Sequence, residues 1–139
     1  MKRNLIGILS LVVMSLLNAT GAYAQSAVKA DVPFAFRVGS AQLPAGTYEI
    51  NATGNSAIAI RNGRTSALSS VRPEYPRNTT PKLVFHHLGS QYFLAEIWRG
   101  ADSAGMVIAP SKMEKELEKE LQLASGQSKV GEKVLIALK

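Results

Sequence analysis

His86 and His87 are the only two histidines of the chain, and acid–base or metal chemistry would have to begin with them. Adjacent strand residues point to opposite faces, so the pair is badly placed to chelate one ion, and no metal is expected. A catalytic histidine needs a carboxylate, and Glu96 stands in the same apolar stretch, Lys82 to Gly100. If Gly89-Ser90 is a two-residue turn, His87 lies opposite Tyr92, Phe85 opposite Leu94 and Leu83 opposite Glu96. That register separates His87 from Glu96 by roughly 13 Å, too far for a dyad. No serine sits in a Gly-x-Ser-x-Gly elbow, and a Ser-His-Asp site would have to bring Asp31 or Asp102 from afar. The glycines are isolated, so no loop cradles a phosphate. Glu114, Glu116, Glu118 and Glu120 alternate with Lys115 and Lys119, the pattern of a solvated helix face and not of paired catalytic acids. The expectation is a protein without catalytic residues and without a cofactor, and not an enzyme.

The remaining functional signal is apolar surface. In the register above, Leu83, Phe85, His87, Tyr92, Leu94, Glu96 and Trp98 share one face of a hairpin, and Val84, His86, Leu88, Phe93, Ala95 and Ile97 share the other. Both faces need cover: a second sheet for one, a helix for the other. Amphipathic aromatics also suit a half-wet binding surface, which makes Tyr92, Glu96, Trp98 and His87 the candidate ligand or partner surface. Its expected occupant is a glycan, an apolar small molecule or an envelope protein. Trp98 is the discriminating residue, since a platform requires it to be accessible and a core requires it to be buried.

The elements that would position these residues have a period of two. Val32, Phe34, Phe36 and Val38 alternate as one strand that stops at Gly39-Ser40. Leu43-Pro44-Ala45-Gly46 suits a type I turn and leads into a strand with Tyr48, Ile50 and Ala52. Asn51 to Asn55 reads as turn-rich. Strands at about 56–61 and 64–71 flank Asn62-Gly63, the strongest hairpin signal in the chain, which would set Arg61 against Arg64 at its tip. Three prolines between Arg72 and Pro81 mark an irregular crossing, and the Lys82–Gly100 hairpin and a short strand at 105–109 follow. Ser111 and Glu114 form a capping box for the only helix, whose stripe is Met113, Leu117 and Leu121 and which ends near Ala124. Glu132 to Lys139 is a last strand, with Val134, Ile136 and Leu138 on one side. The fold class expected is mainly β: an antiparallel β-sandwich or small β-barrel of about eight strands with one amphipathic α-helix before the last strand.

Residues 1–24 read as a secretory signal peptide: Met1-Lys2-Arg3, an apolar run from Leu5 to Leu17, and Ala22-Tyr23-Ala24 before Gln25. The run is too short for a permanent membrane span. Residues 25–139 then form a single β domain, periplasmic or secreted. With no cysteine in the chain, its fold must hold by packing alone. Removal of Lys2 and Arg3 lowers the formal charge of +6 by two, and the remaining basic residues are scattered, so no nucleic-acid partner is expected.

Val32-Pro33-Phe34, Val38-Gly39, Leu43-Pro44-Ala45-Gly46-x-Tyr48, Leu83-Val84-Phe85-His86 and Gln91-Tyr92-Phe93-Leu94-x-x-Ile97-Trp98 together resemble a family of small exported bacterial proteins of unknown function. The resemblance implies export and an autonomous domain, and it carries no site. Pro-Ala-Gly-x-Tyr also resembles the turn into a strand of prealbumin-like surface β-sandwiches, which implies a structural role for Tyr48. In such a family the Asn-x-Thr stretches at Asn51 and Asn78 read as chance turns. The function expected is that of an exported non-enzymatic binding or envelope module. A small barrel carrying an apolar ligand is the alternative, and an enzyme with a site assembled from unconnected residues comes third.

Overall fold

The computed structural model describes residues 27–75, 80–100 and 103–139, and the expected signal peptide lies outside them. In chain order the elements are β1 (Val28–Val32), β2 (Phe36–Val38), β3 (Ala41–Leu43), β4 (Gly46–Thr53), β5 (Ala57–Asn62), β6 (Thr65–Glu74), β7 (Lys82–Leu88), β8 (Gln91–Trp98), β9 (Gly105–Ile108), α1 (Lys112–Ser125) and β10 (Glu132–Ala137). The described residues are mainly β, with one helix before the last strand, and their sheet does not close. The barrel is thereby set aside and the sandwich retained.

One layer is β1, β4, β5 and the first half of β6; the other is the second half of β6, then β9, β8, β7 and β10, with the β2–β3 hairpin beside the start of β8. β6 spans both layers because its residues 65–70 pair with β5 and its residues 71–74 with β9. Among the described residues every pairing is antiparallel except the parallel bridge between Arg37 and Phe93. Beyond the last strand, the Lys139 N–H donates to the Lys29 carbonyl at 2.9 Å, tying one corner of the open seam between β10 and β1.

The first strand expected from the sequence is broken in two. Pro33 has no N–H to donate to a ladder, and at Pro33–Ala35 the chain leaves β1 in one layer and enters β2 in the other. The three-residue β3, invisible to periodicity at that length, accounts for the other strand beyond the expected eight. At Leu43–Gly46 the chain crosses back between layers, and the buried Tyr48 braces this crossing by donating its hydroxyl to the Pro44 carbonyl at 2.6 Å. Asn51 belongs to β4 and is buried, not in a turn.

A hairpin forms here but turns one residue later than expected: Asn62 faces Thr65, so Gly63 (φ +57°) and Arg64 make the turn, and the Asn62 side-chain oxygen accepts from the Thr65 hydroxyl at 3.0 Å. Arg61 does not meet Arg64. Its strand neighbours are Ser66 and Glu49, so the expected like-charge tip is absent.

The core lies between the layers. Phe36, Tyr48 and Phe85 meet edge to face at centroid distances of 5.1 and 5.4 Å, flanked by Ile50, Ile58, Ile60, Leu83, Leu94 and Ile97. Val134 and Ile136 from β10, and Leu138 just beyond it, pack against the core on the side the alternation assigned them.

Candidate functional site

A bulge in β8 decides where each candidate residue goes. Pairing with β7 runs His87–Tyr92, His86–Phe93 and Phe85–Leu94, as the two-residue turn at Gly89-Ser90 requires. It then jumps to Val84–Glu96 and Leu83–Ile97, leaving Ala95 as the extra residue. An extra residue reverses the facing of everything beyond it. Tyr92 and Leu94 point between the layers, and so does Ile97, which the unbroken alternation had put on the opposite face. Glu96 and Trp98 are turned to the outer face. The expected surface of Tyr92, Glu96, Trp98 and His87 is therefore two surfaces, on opposite sides of one sheet.

On the inner side, at the rim of the sandwich, Tyr92 is the middle ring of a stack. Phe34 lies on one of its faces at 3.9 Å between centroids and 16° between planes, and His87 on the other at 4.2 Å and 6°. Phe34 also meets Phe85 edge-on at 5.1 Å, which joins the stack to the core. All three stacked residues are half-buried. The sequence reading missed Phe34 as a partner because it kept that ring in alternation with Phe36. The signal that could have found it is Pro33, which breaks the strand one residue earlier.

On the outer side, Trp98 is only 6% exposed, so it is not the accessible platform of the sequence reading. Its ring occupies the space that a Cβ on Gly105 would need, so the indole lies flat across a glycine of the neighbouring strand. Its Nε1–H donates to Glu96 Oε2 at 2.8 Å, while Lys133 Nζ donates to Glu96 Oε1 at 3.2 Å. Burial pushes the Glu96 carboxyl up. The indole N–H, the Lys133 ammonium and the positive charge available on His86 pull it down, and the pull prevails, so Glu96 titrates below the ordinary glutamate value.

Next along this face, His86 Nδ1 lies 3.1 Å from Glu114 Oε1. A carboxylate can only accept, so Nδ1 carries the hydrogen. Glu114 is the sole buried residue of α1. This corrects two expectations: Glu114 is not on the solvated face, and Met113, expected in the apolar stripe, is 49% exposed, with Leu117 and Leu121 half-buried. Half of the capping box forms, with Ser111 Oγ accepting from the Glu114 N–H at 3.2 Å. The Glu114 carboxylate does not reach back to the cap and goes to the sheet instead. Around this pair α1, β7 and the start of β10 enclose a cleft of about 150 Å³, lined among others by His86, Glu114, Glu118, Lys129, Glu132 and Lys133.

Among the described residues no three His, Cys, Asp or Glu side chains converge as a metal site, and no helix is long and apolar enough to cross a membrane. Comparisons with protein-family models, with curated proteins and with solved structures return no match for this chain.

Proposed function

We propose that the protein is an exported, non-catalytic binding module of the bacterial envelope, and that it engages a glycan at the rim formed by Phe34, Tyr92 and His87. The observation that supports this reading is the ring stack. Its three residues are half-buried and held parallel, so little side-chain freedom is left to lose when a ligand docks. With both faces of Tyr92 covered, the stack offers a sugar ring the outer face of the His87 imidazole, and the phenol and imidazole add polar edges for its hydroxyls. The barrel-carrier alternative is less well supported, because the sheet stays open and Phe36, Tyr48 and Phe85 fill the space between its layers.

The test is a titration of the isotopically labelled protein with N-acetylglucosamine oligomers, followed by amide chemical shifts. Perturbations should centre on Phe34, His87 and Tyr92 and vanish in Tyr92→Ala. Shifts that survive that variant, or no shifts at millimolar sugar, reject the glycan reading. An unidentified mass lost on denaturation in native mass spectrometry of protein taken from its own envelope would then point to the carrier.

A second reading rests on the cleft. A carboxylate holding Nδ1 leaves Nε2 of His86 with the lone pair of a general base. Among the described residues, however, the cleft brings no serine, threonine or cysteine beside that imidazole, and the nearby Ser111 spends its hydroxyl on the helix cap. Turnover of a model ester that disappears in His86→Ala would favour this reading over the first.

A further inference from the structure

Asn62-Gly63 is the only asparagine–glycine step of the chain, and the fold sets it at the tip of the β5–β6 hairpin. An asparagine amide carbon can be attacked by the backbone nitrogen of the residue that follows. A Cβ on that residue crowds the approach, and glycine has none. Gly63 is exposed, with nothing within 4 Å of where a side chain would stand. Among the described residues its N–H meets no acceptor, because the bonds of the turn are made by Arg64, whose N–H donates to the Asn62 carbonyl, and by Thr65. Asn51 and Asn55 each lack part of this arrangement: Asn51 is buried in β4 and precedes Ala52, and Asn55 is exposed but precedes Ser56.

One restraint opposes the attack. The Asn62 amide oxygen accepts from the Thr65 hydroxyl at 3.0 Å and from the Thr65 N–H at 3.4 Å, and Nδ2 lies 3.1 Å from where a Cβ on Gly46 would be. The amide has to leave these partners before its carbon can turn onto the Gly63 nitrogen.

We propose that Asn62 is a site of spontaneous modification, cyclising onto the backbone and opening to aspartate or isoaspartate at a rate set by fraying of the hairpin tip. The Gly63 nitrogen, its proton passing to solvent base, bonds to Asn62 Cγ. The Cγ–Nδ2 bond breaks and ammonia leaves, which closes a succinimide. Water then adds to one of the two ring carbonyls: at Cγ it restores the ordinary chain as aspartate, and at the backbone carbonyl it leaves isoaspartate. Either product places a carboxylate in the cleft that Asn62 and Gly63 line with Lys29, Glu49 and Arg61, cancelling the net positive charge those three side chains leave there. Isoaspartate also adds a methylene to the main chain at the last paired residue of β5, which disturbs a two-residue turn. The inference is independent of the glycan reading, because the hairpin tip and the ring stack involve different strands.

Peptide mapping by mass spectrometry tests it, on the purified protein held folded in mildly alkaline buffer. Asn62 should convert ahead of Asn51 and Asn55 and yield both aspartate and isoaspartate, told apart by fragmentation. Thr65→Val keeps a β-branched side chain in the strand and removes the hydroxyl donor. It should speed conversion by about threefold to tenfold, the change in opening expected for one hydrogen bond, with exchange protection of the β7–β8 amides unchanged. The proposal is overturned if Asn62 stays intact or Asn55 converts first, if aspartate alone forms, or if Thr65→Val leaves the rate unchanged or raises it only by loosening β7–β8 as well.

Discussion

The two faces of the β7–β8–β9–β10 layer are held by different physics. Inward, Phe85, Leu94 and Ile97 pack against Phe36 and Tyr48 by area and shape. Outward, Trp98 is fixed by a glycine beneath it and a carboxylate beside it, and α1 by a histidine–glutamate pair. Apolar burial is insensitive to pH and scales with the area removed from water. Ion pairs are conditional on protonation, and when partly exposed they contribute little. The inner face should therefore set global stability, and the outer face should set what moves.

The strongest attempt to break this division is Phe85→Ala. Phe85 is fully buried and touches both Phe34 and Phe36 ring to ring. Its removal should destabilise the fold by about 3–5 kcal/mol, enough to unfold much of the protein or shift its urea midpoint severely. The single Trp98 gives a fluorescence reading of that transition. A loss below about 1 kcal/mol would mean that the inter-layer core is not what holds the domain.

Gly105→Ala tests the outer face by overpacking. A methyl there collides with the Trp98 ring, which must tilt away from the strand and from Glu96. Destabilisation of about 1–3 kcal/mol is expected, smaller than for Phe85, together with a red-shifted Trp emission as the indole is lifted toward water. An unchanged spectrum and unchanged midpoint would show that the indole does not depend on a bare backbone beneath it.

The same contrast explains how much was legible in the sequence. Strict alternation marked Val134, Ile136 and Leu138, Asn62-Gly63 marked its hairpin, and Ser111 marked the helix start, because each signal is local. Everything on the outer face turned on one extra residue, Ala95, and a bulge is hard to read in a run, Tyr92 to Trp98, that is apolar at every position but Glu96. One shifted residue carried Glu96 and Trp98 away from Tyr92 and His87 and dissolved the four-residue surface. Two of its members nevertheless stand in the ring stack, because they precede the bulge. The His86–Glu114 pair was beyond reach for a different reason. Helical pattern placed Glu114 among lysines and glutamates that are mostly exposed, and only the docking of α1 on β7 selects it from them.

The smallest expected effect separates ion pairs by exposure. Glu96 and Asp31 both titrate below their ordinary values. For Asp31 the causes are hydrogen bonds from Lys139 and Thr47, against a weak opposing desolvation. A carboxyl depressed in the folded state stabilises it above the unfolded value, and that contribution disappears as pH falls through the lower folded value. Glu96, with a side chain 22% exposed, should therefore contribute up to about 1 kcal/mol near neutral pH. Glu96→Gln should lower stability at pH 7 and narrow the gap to wild type in acid. Asp31 sits in the open seam between β1 and β10, where water and salt screen its pair with Lys139. Asp31→Asn should leave the urea midpoint nearly unchanged at any pH, its effect confined to faster amide exchange at Lys139, the donor that ties the corner to Lys29. Equal shifts of the midpoint in the two variants would contradict the division, because charge at an exposed seam would then weigh as much as charge seated under an indole.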